Sequence, residues 1–254
     1  MIRSCIWFLI REGWFVAEKE ISVLLPAYNE ALRIKRCIQE VERVVCSFSS
    51  SYELIVAEDG STDGTEKIVA ELTQSNPHLS LLHSPGRLGK GKAVKRALDS
   101  AKGSVVVFMD VDLATSLDYL LKIVELARAS QGMAIGSRHV KGARVGRRVS
   151  RSLFSLAYNL FVRLLFLDGV RDHQCGFKAM SREVAKVLMG KCESNGFFFD
   201  TEMILWCKKL GFPVTEVGVE WAETREKSGS AVKLFPDSMR LGLDLLRFRF
   251  MVDP

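Results

Sequence analysis

No apolar run in this 254-residue sequence approaches the roughly 20 residues needed to cross a bilayer as a helix. The N-terminal stretch Cys5 to Ile10 is cut off by Arg11 and Glu12, short even of the about 7 to 15 apolar residues of a secretory signal. It is either a small interfacial anchor or a helix packed on the body, and packing is the preferred expectation. The cysteines, at positions 5, 37, 46, 175, 192 and 207, include no Cys-x-x-Cys pair and no regular spacing. Neither a zinc site nor a disulfide framework is indicated, which points to a reducing, cytosolic compartment. Gly-x-Gly-x-x-Gly is missing after the first predicted strand, so a dinucleotide site is not expected. No aromatic-studded basic strand is present either, which argues against nucleic acid.

What is present is an excess of positive charge, +6 with a pI near 9.0. An anionic partner follows, with nucleotide phosphates and an anionic membrane surface as the candidates. With 48% hydrophobic residues the chain can bury a sizeable core, and one domain plus an appendage is the natural count. Val105 to Met109 is a short β-branched run expected of a buried strand, and Asp110 and Asp112 stand at its end. In extended backbone, residues i and i+2 share a face, so the two carboxylates are expected to converge in the crevice of an open α/β sheet. Two hard oxygen donors make half a site for Mg²⁺ or Mn²⁺, completed by diphosphate oxygens and water. Thr115 is near enough for the metal's surroundings or serves as a helix cap.

Upstream, strands alternate with helices. Ile21 to Leu25 reads as a strand ended by Pro26, with a helix from Ala31 to Cys46 capped by Asn29. Tyr28 at this turn suits a flat base or ribose. Tyr52 to Ala57 is a second strand, followed by Glu58-Asp-Gly-Ser-Thr-Asp-Gly-Thr65 and a helix from Glu66 to Gln74. There Asp59 is placed to bond a base or ribose edge, Gly60 and Gly64 permit the turn, and Asp63 reads as a cap. A short strand, Ser80 to His83, leads into Gly86-Arg-Leu-Gly-Lys-Gly-Lys-Ala93, a near match to a phosphate-binding loop. Ala93 stands where a metal-binding hydroxyl is required, so an NTPase is set aside. A flexible basic loop touching a diphosphate through Arg87 or Lys90 fits better, with helix from Ala93 to Ala101. The pattern predicts a mostly parallel central sheet flanked by helices, α/β in class, with one nucleotide and one metal at its edge.

Pro26-Ala-Tyr-Asn-Glu30, Glu58 to Thr65, Gly89-Lys-Gly-Lys-Ala-Val94, Asp110-Val-Asp112 and Gly136-Ser-Arg-His139 occur in the order found in family 2 glycosyltransferases. The chain therefore resembles enzymes of the GT-A nucleotide-diphospho-sugar transferase fold. Asp172-His-Gln-Cys-Gly-Phe-Lys178, Phe199-Asp-Thr-Glu202 and Trp221 through Phe250 look most like dolichyl-phosphate β-glucosyltransferases, with the mannosyltransferases next. The resemblance spans about residues 20 to 250 and departs from the eukaryotic glucosyltransferases in lacking their long N-terminal membrane helix. It implies that Pro26, Ala27, Tyr28, Glu30 and Asp59 hold the nucleoside and Asp110 with Asp112 the metal on the diphosphate. It further implies an inverting transfer of a hexose, glucose from UDP-glucose, onto dolichyl or polyprenyl phosphate on the cytosolic face of a membrane. GDP-mannose as donor is the alternative within enzymes, and a non-catalytic sugar-nucleotide-binding membrane protein the alternative outside them.

Cations are needed for the acceptor phosphate. Arg138 follows the strand Met133 to Gly136, and the run Lys141 to Ser152 is densely basic. Arg148 with Ser152, and Arg151 with Ser155, share a face if helix starts near Val149; the other reading is a solvated basic loop. Leu153 to Leu167 is greasy on most faces and is expected to be buried, with an interfacial role as the alternative. Asp172 to Lys178 is expected to return a strand, with Asp172 orienting an arginine or a sugar hydroxyl, or only capping a turn. Cys175 reads as a small buried residue, Phe197 to Phe199 as core, Asp200 as a helix cap and Glu202 as a possible neighbour of the donor sugar. Lys233 to Met251 is a basic amphipathic helix, either a peripheral membrane element or the end of the fold. Arg225, Ser230 and Lys233 resemble the family's C-terminal phosphate-handling loop. The expected organisation is residues 1–19 as an extension, 20–232 as the transferase domain and 233–254 as the amphipathic helix.

Overall fold

A computed structural model describes residues 19–146, 149–223 and 234–252. The stretches 1–18, 147–148, 224–233 and 253–254 lie outside, and with them the predicted N-terminal segment, Arg148, Arg225, Ser230 and Lys233. Within the helices, the side chains of residues 149–153, 234–238 and 252 are also outside the described set, Arg151 and Ser152 among them.

Seven strands form one sheet in the order β3 (Leu79–Leu82), β2 (Tyr52–Glu58), β1 (Lys19–Ala27), β4 (Gly103–Met109), β7 (Phe177–Ser181), β5 (Met133–Ser137), β8 (Val214–Gly218). All neighbours are parallel except β7, which runs antiparallel to both β4 and β5. A separate two-stranded ribbon pairs β6 (Arg144–Gly146) with β9 (Glu220–Ala222). The helices are α1 (Ile34–Val45), α2 (Thr65–Thr73), α3 (Lys90–Ser100), α4 (Leu120–Ser130), α5 (Val149–Phe166), α6 (Arg182–Met189), α7 (Phe199–Lys209) and α8 (Leu234–Val252).

Strand alternation splits the core in two. Val23, Leu25, Val105, Val107 and Met109 face a layer containing Ile34, Ile38 and Val41 of α1 and Ile123 of α4. Leu24, Val106 and Phe108 face the other layer, with Val94 of α3, Val184 of α6 and Met203 of α7. The sheet is covered on both faces, which is why its strands read as unbroken apolar runs. Phe108 and Phe177 are fully buried, each contributing about 1.5 to 3 kcal/mol from removal of its apolar surface from water.

Several expected bounds move. Pro26 lies inside β1, paired in register with Ala57, rather than ending it. Helix α1 starts at Ile34, and Asn29 does not cap it: Asn29 adopts φ 55° and accepts a hydrogen bond from Thr62 N–H instead. Helix α3 starts at Lys90, so half of the predicted flexible loop is helical. Residues 172–176 are loop, and the strand begins only at Phe177. Helix α5 is not the buried core helix predicted: Phe154, Leu156, Leu160, Phe161 and Leu164 are exposed, while Val162 is buried. That buried side packs with Leu245 and Phe248 of α8 and Phe198 in a small third cluster.

Candidate functional site

A cleft of about 1290 Å³ opens along one edge of the sheet, running from Pro26 and Tyr28 to Phe161 and Phe248. Parallel strands β1, β2 and β4 end there. Because β7 is reversed, its entering loop, residues 172–176, reaches the same edge.

At the end lined by Pro26 and Tyr28, two loops are stitched together. Asn29 N–H donates to Ser61 Oγ, Ala31 N–H to Asp63 Oδ2 and Glu30 N–H to Thr65 Oγ1. Asp63 also accepts from Thr65 N–H at 3.0 Å, but the cap position of α2 is Gly64 and not Asp63. Asp59 is buried, and its two oxygens accept from Leu88 N–H at 2.7 Å and Gly89 N–H at 2.9 Å. It therefore fixes the segment that carries Arg87 and Lys90. Gly60, at φ 72°, backs against Gly86 so closely that a Cβ would overlap its backbone. The Arg87 guanidinium lies 4.1 Å from the centre of the Tyr28 ring, a cation–π contact. Pro26, Ala27, Tyr28, Glu30, Asp59 and Arg87 all line the cleft.

At its centre stand Asp110 and Asp112, both lining the cleft. They are not on extended backbone as predicted: β4 stops at Met109 and the chain turns, with Leu113 N–H donating to Asp110 C=O and Leu113 at φ 52°. Asp112 Oδ1 accepts from Ala114 N–H. Convergence on one cleft thus comes from the turn and not from strand alternation. Thr115 bridges to Trp221, and Ser116 rather than Thr115 caps the short turn that follows.

Lys90 joins Asp110 to a carboxylate that sequence reasoning assigned elsewhere. Its Nζ is 2.9 Å from Asp110 Oδ1 and 3.0 Å from Asp200 Oδ2. Asp200 is not a helix cap; it is buried on the first turn of α7 and takes Lys178 Nζ at 2.6 Å on its other oxygen. Burial alone raises a carboxyl pKa, yet Lys178 and Lys90 together hold Asp200 below its ordinary value. Lys90, whose burial would lower it, is raised by Asp110 and Asp200. Asp110 is pushed up by the partial shelter of its side chain and by its neighbours Asp112 and Asp200, against the pull of Lys90. Carboxylate charge at this point exceeds what Lys90 neutralises, and a divalent cation suits such a donor set. Among the described residues no group of three or more His, Cys, Asp or Glu side chains is placed to hold a metal ion. Asp110 and Asp112, which both line the cleft, could contribute carboxylate oxygens to such an ion.

Of the residues predicted for the acceptor, Arg138 and Ser155 are described and line the cleft. Arg138 is engaged by Asp172: Nε and Nη2 bond the two carboxylate oxygens at 2.8 Å, and Arg138 N–H adds a third bond at 2.9 Å. Burial favours the neutral acid, but the guanidinium wins and holds Asp172 well below the usual carboxylate range. Arg138 also lies 5.6 Å from the Trp221 ring centre. It reaches the cleft as a clamped residue, so of the roles open to Asp172, an arginine partner is the one seen. Ser155 lines the cleft, 3.4 Å from His139 Nε2. Glu202 lines the cleft, and its oxygens accept from Glu193 and Ser194 N–H, pinning the loop beside Gly89. Cys175 is buried, its thiol pushed up to about 12 by burial, in keeping with a packing role.

Gln174, Gly176, Lys178 and Asp200 were missed as site-forming residues. The sequence signals for them are their place in the segments 172–178 and 199–202, which carry the resemblance, and Lys178 as a lysine inside an otherwise apolar strand.

A family profile described as Glycosyl transferase family 2 matches residues 22–189. Glycosyltransferase AglD of Haloferax volcanii is 39% identical over 231 residues, covering 90% of this chain and 36% of that protein, so the chain spans about a third of that relative's length. A dolichyl-phosphate beta-glucosyltransferase of Dictyostelium discoideum is 31% identical over 244 residues, covering 91% of this chain and 74% of that one. In fold the chain is similar to glucosyl-3-phosphoglycerate synthase from Mycobacterium tuberculosis, solved with Mn²⁺, UDP and glucosyl-3-phosphoglycerate. The TM-score is 0.68 at 23% identity, over 94% of this chain and 85% of that one.

Proposed function

The chain belongs to glycosyl transferase family 2, and from that premise we propose that it transfers glucose from UDP-glucose to a dolichyl or polyprenyl phosphate. The observation that carries this reading is a cleft with Asp110, Asp112 and Lys90 at its centre and exposed apolar helix faces at its far end. The relatives named dolichyl-phosphate beta-glucosyltransferase favour glucose as the sugar and dolichyl phosphate as the acceptor.

In this reading the uracil and ribose lie along Pro26, Ala27 and Tyr28, with Glu30 and Asp59 setting the walls. Arg87 and Lys90 face the diphosphate. Asp110 and Asp112 hold Mg²⁺ or Mn²⁺, which when bound offsets charge on the departing nucleoside diphosphate. A phosphate monoester has a second pKa of about 6, so the acceptor oxygen is already mostly ionised at neutral pH and needs no dedicated base. The protein's work is alignment and charge compensation. Arg138, positioned by Asp172, and Ser155 stand on the acceptor side; Arg148, Arg151, Ser152 and Arg225 belong to the same group by sequence. The lipid chain leaves the cleft past Phe154 and Phe161, along the exposed faces of α5 and α8. No described helix is long and apolar enough to cross a membrane. Peripheral attachment through these two faces, on the cytosolic side, completes the reading.

The test incubates the protein with Mn²⁺ or Mg²⁺, a short polyprenyl phosphate and, separately, UDP-glucose and GDP-mannose, followed by mass spectrometry of the organic phase. A hexosyl-phosphoryl lipid from UDP-glucose is expected. Product from GDP-mannose alone replaces the donor, and no lipid product from either overturns the acceptor. Asp112→Asn is expected to lose turnover about 10²- to 10³-fold while remaining folded.

A further inference from the structure

The lysine at the centre of the cleft is anchored at one end and accessible at the other. Asp200 and Lys178 are buried, whereas the Asp110 side chain retains 44% exposure and that of Lys90 16%. Lys90 opens α3 directly after Gly89, whose φ of 102° and contact with the Asn195 carbonyl exclude a side chain. Asp59 holds Gly89 N–H from the other side. The ammonium is therefore delivered to Asp110 by a backbone with little freedom.

We infer that Lys90 is an internal counter-cation that competes with the divalent cation for Asp110. It yields that carboxylate only when a nucleoside diphosphate supplies replacement oxygens. This rests on the metal role proposed for Asp110 above. An ammonium and a dication on one carboxylate repel each other. Diphosphate oxygens attract both, so their arrival turns competition into shared coordination. Lys90 keeps its bond to Asp200 throughout, because an ammonium has three donors and Asp200 is held in place by Lys178. Metal and nucleotide then bind as a pair, and the size of that coupling is set by Lys90.

Mn²⁺ affinity is measured on the full chain by calorimetry and electron paramagnetic resonance, with and without UDP, for wild type, Lys90→Met and Asp110→Asn. Lys90→Met is expected to tighten Mn²⁺ binding in the absence of UDP by about tenfold and to shrink the UDP-induced gain in Mn²⁺ affinity by a similar factor. Unchanged or weaker Mn²⁺ binding by Lys90→Met without UDP overturns the inference. Asp110→Asn is expected to lose Mn²⁺ binding in both conditions. If it binds normally, the metal role itself falls and the inference with it, whereas loss in Asp110→Asn beside an unchanged Lys90→Met removes the inference alone. Lys90→Gln is made in parallel, with cooperative thermal unfolding as the check on folding. Should neither variant fold, wild-type protein labelled with ¹⁵N-lysine answers the question. A buried ammonium resonance must shift when Mg²⁺ and UDP are added together, and one that does not move overturns the inference.

Discussion

Gly176 leaves room for the Asp110 carboxylate: a methyl group built on it would overlap both oxygens, and Gly176 C=O also accepts the Asp110 N–H at 3.1 Å. The glycine is conformationally ordinary, so its significance is space. Gly176→Ala is expected to push the Asp110 side chain aside rather than unfold the sheet, because the obstacle is the end of a side chain. Mn²⁺ affinity with UDP should fall about tenfold or more with thermal stability nearly unchanged. A variant that binds Mn²⁺ normally would detach Gly176 from the site.

The Arg138–Asp172 pair makes a pH prediction. The folded-state pKa of Asp172 is depressed below its unfolded value of about 3.9. Its contribution is therefore fully present above about pH 5 and is lost as pH falls through the folded value. Asp172→Asn leaves a buried guanidinium without its partner and should cost about 3 to 5 kcal/mol at pH 7. In urea titrations the gap between variant and wild type should narrow below about pH 4. A gap that does not depend on pH would mean packing, not charge, is responsible.

Thiol reactivity separates the cysteines. Cys46 is exposed, whereas Cys37, Cys175, Cys192 and Cys207 are buried. Burial pushes Cys175 and Cys207 up to about 12, far from the thiolate form at neutral pH. Among these five, brief alkylation at pH 7.5 followed by peptide mass spectrometry should modify Cys46 alone. Rapid labelling of Cys175 would show that the edge opens in solution.

The apolar faces of α5 and α8 predict lipid binding. Leu164 is 67% exposed and Phe250 73%, and neither lines the cleft. The double variant Leu164→Asp, Phe250→Asp should lose most co-sedimentation with vesicles containing phosphatidylglycerol while UDP affinity is retained. Raising the salt should weaken wild-type binding, since Arg240 and Arg247 lie on α8 and each basic residue near an anionic surface contributes about 1 kcal/mol. Undiminished vesicle binding by the variant would place the contact elsewhere.

The alternation of strand and helix up to Asp112 is legible in the sequence because apolar runs there are punctuated by Gly, Asp and Pro. Asp110 and Asp112 are legible as a pair for a reason that turns out to be incidental: a turn, not strand alternation, brings them to one cleft. The partners of Lys90 are not legible, and Asp172 is legible only as the neighbour of an arginine that the sequence does not single out. Lys178 and Asp200 meet across 22 positions, and Arg138 and Asp172 across 34. Periodicity carries no signal for pairs formed by strand order. The exposure of α5 escapes for a related reason. Its composition predicts burial, but only the position of α8 determines which of its faces is covered.

The reversed strand has a consequence for how this molecule can vary. Since β5 and β7 are antiparallel neighbours, with Ile135 beside Lys178, the chain leaves the sheet after Ser137 and re-enters it at Phe177 on the same side. Everything between, including Arg138, β6, α5 and Asp172, is an excursion whose two feet stand next to each other. Such an insert can be lengthened, shortened or exchanged without moving a strand, because closing its ends depends only weakly on its length. The residues proposed for the acceptor and for the membrane surface are thereby able to diverge while those proposed for the donor, on β1, β2 and β4, stay as they are.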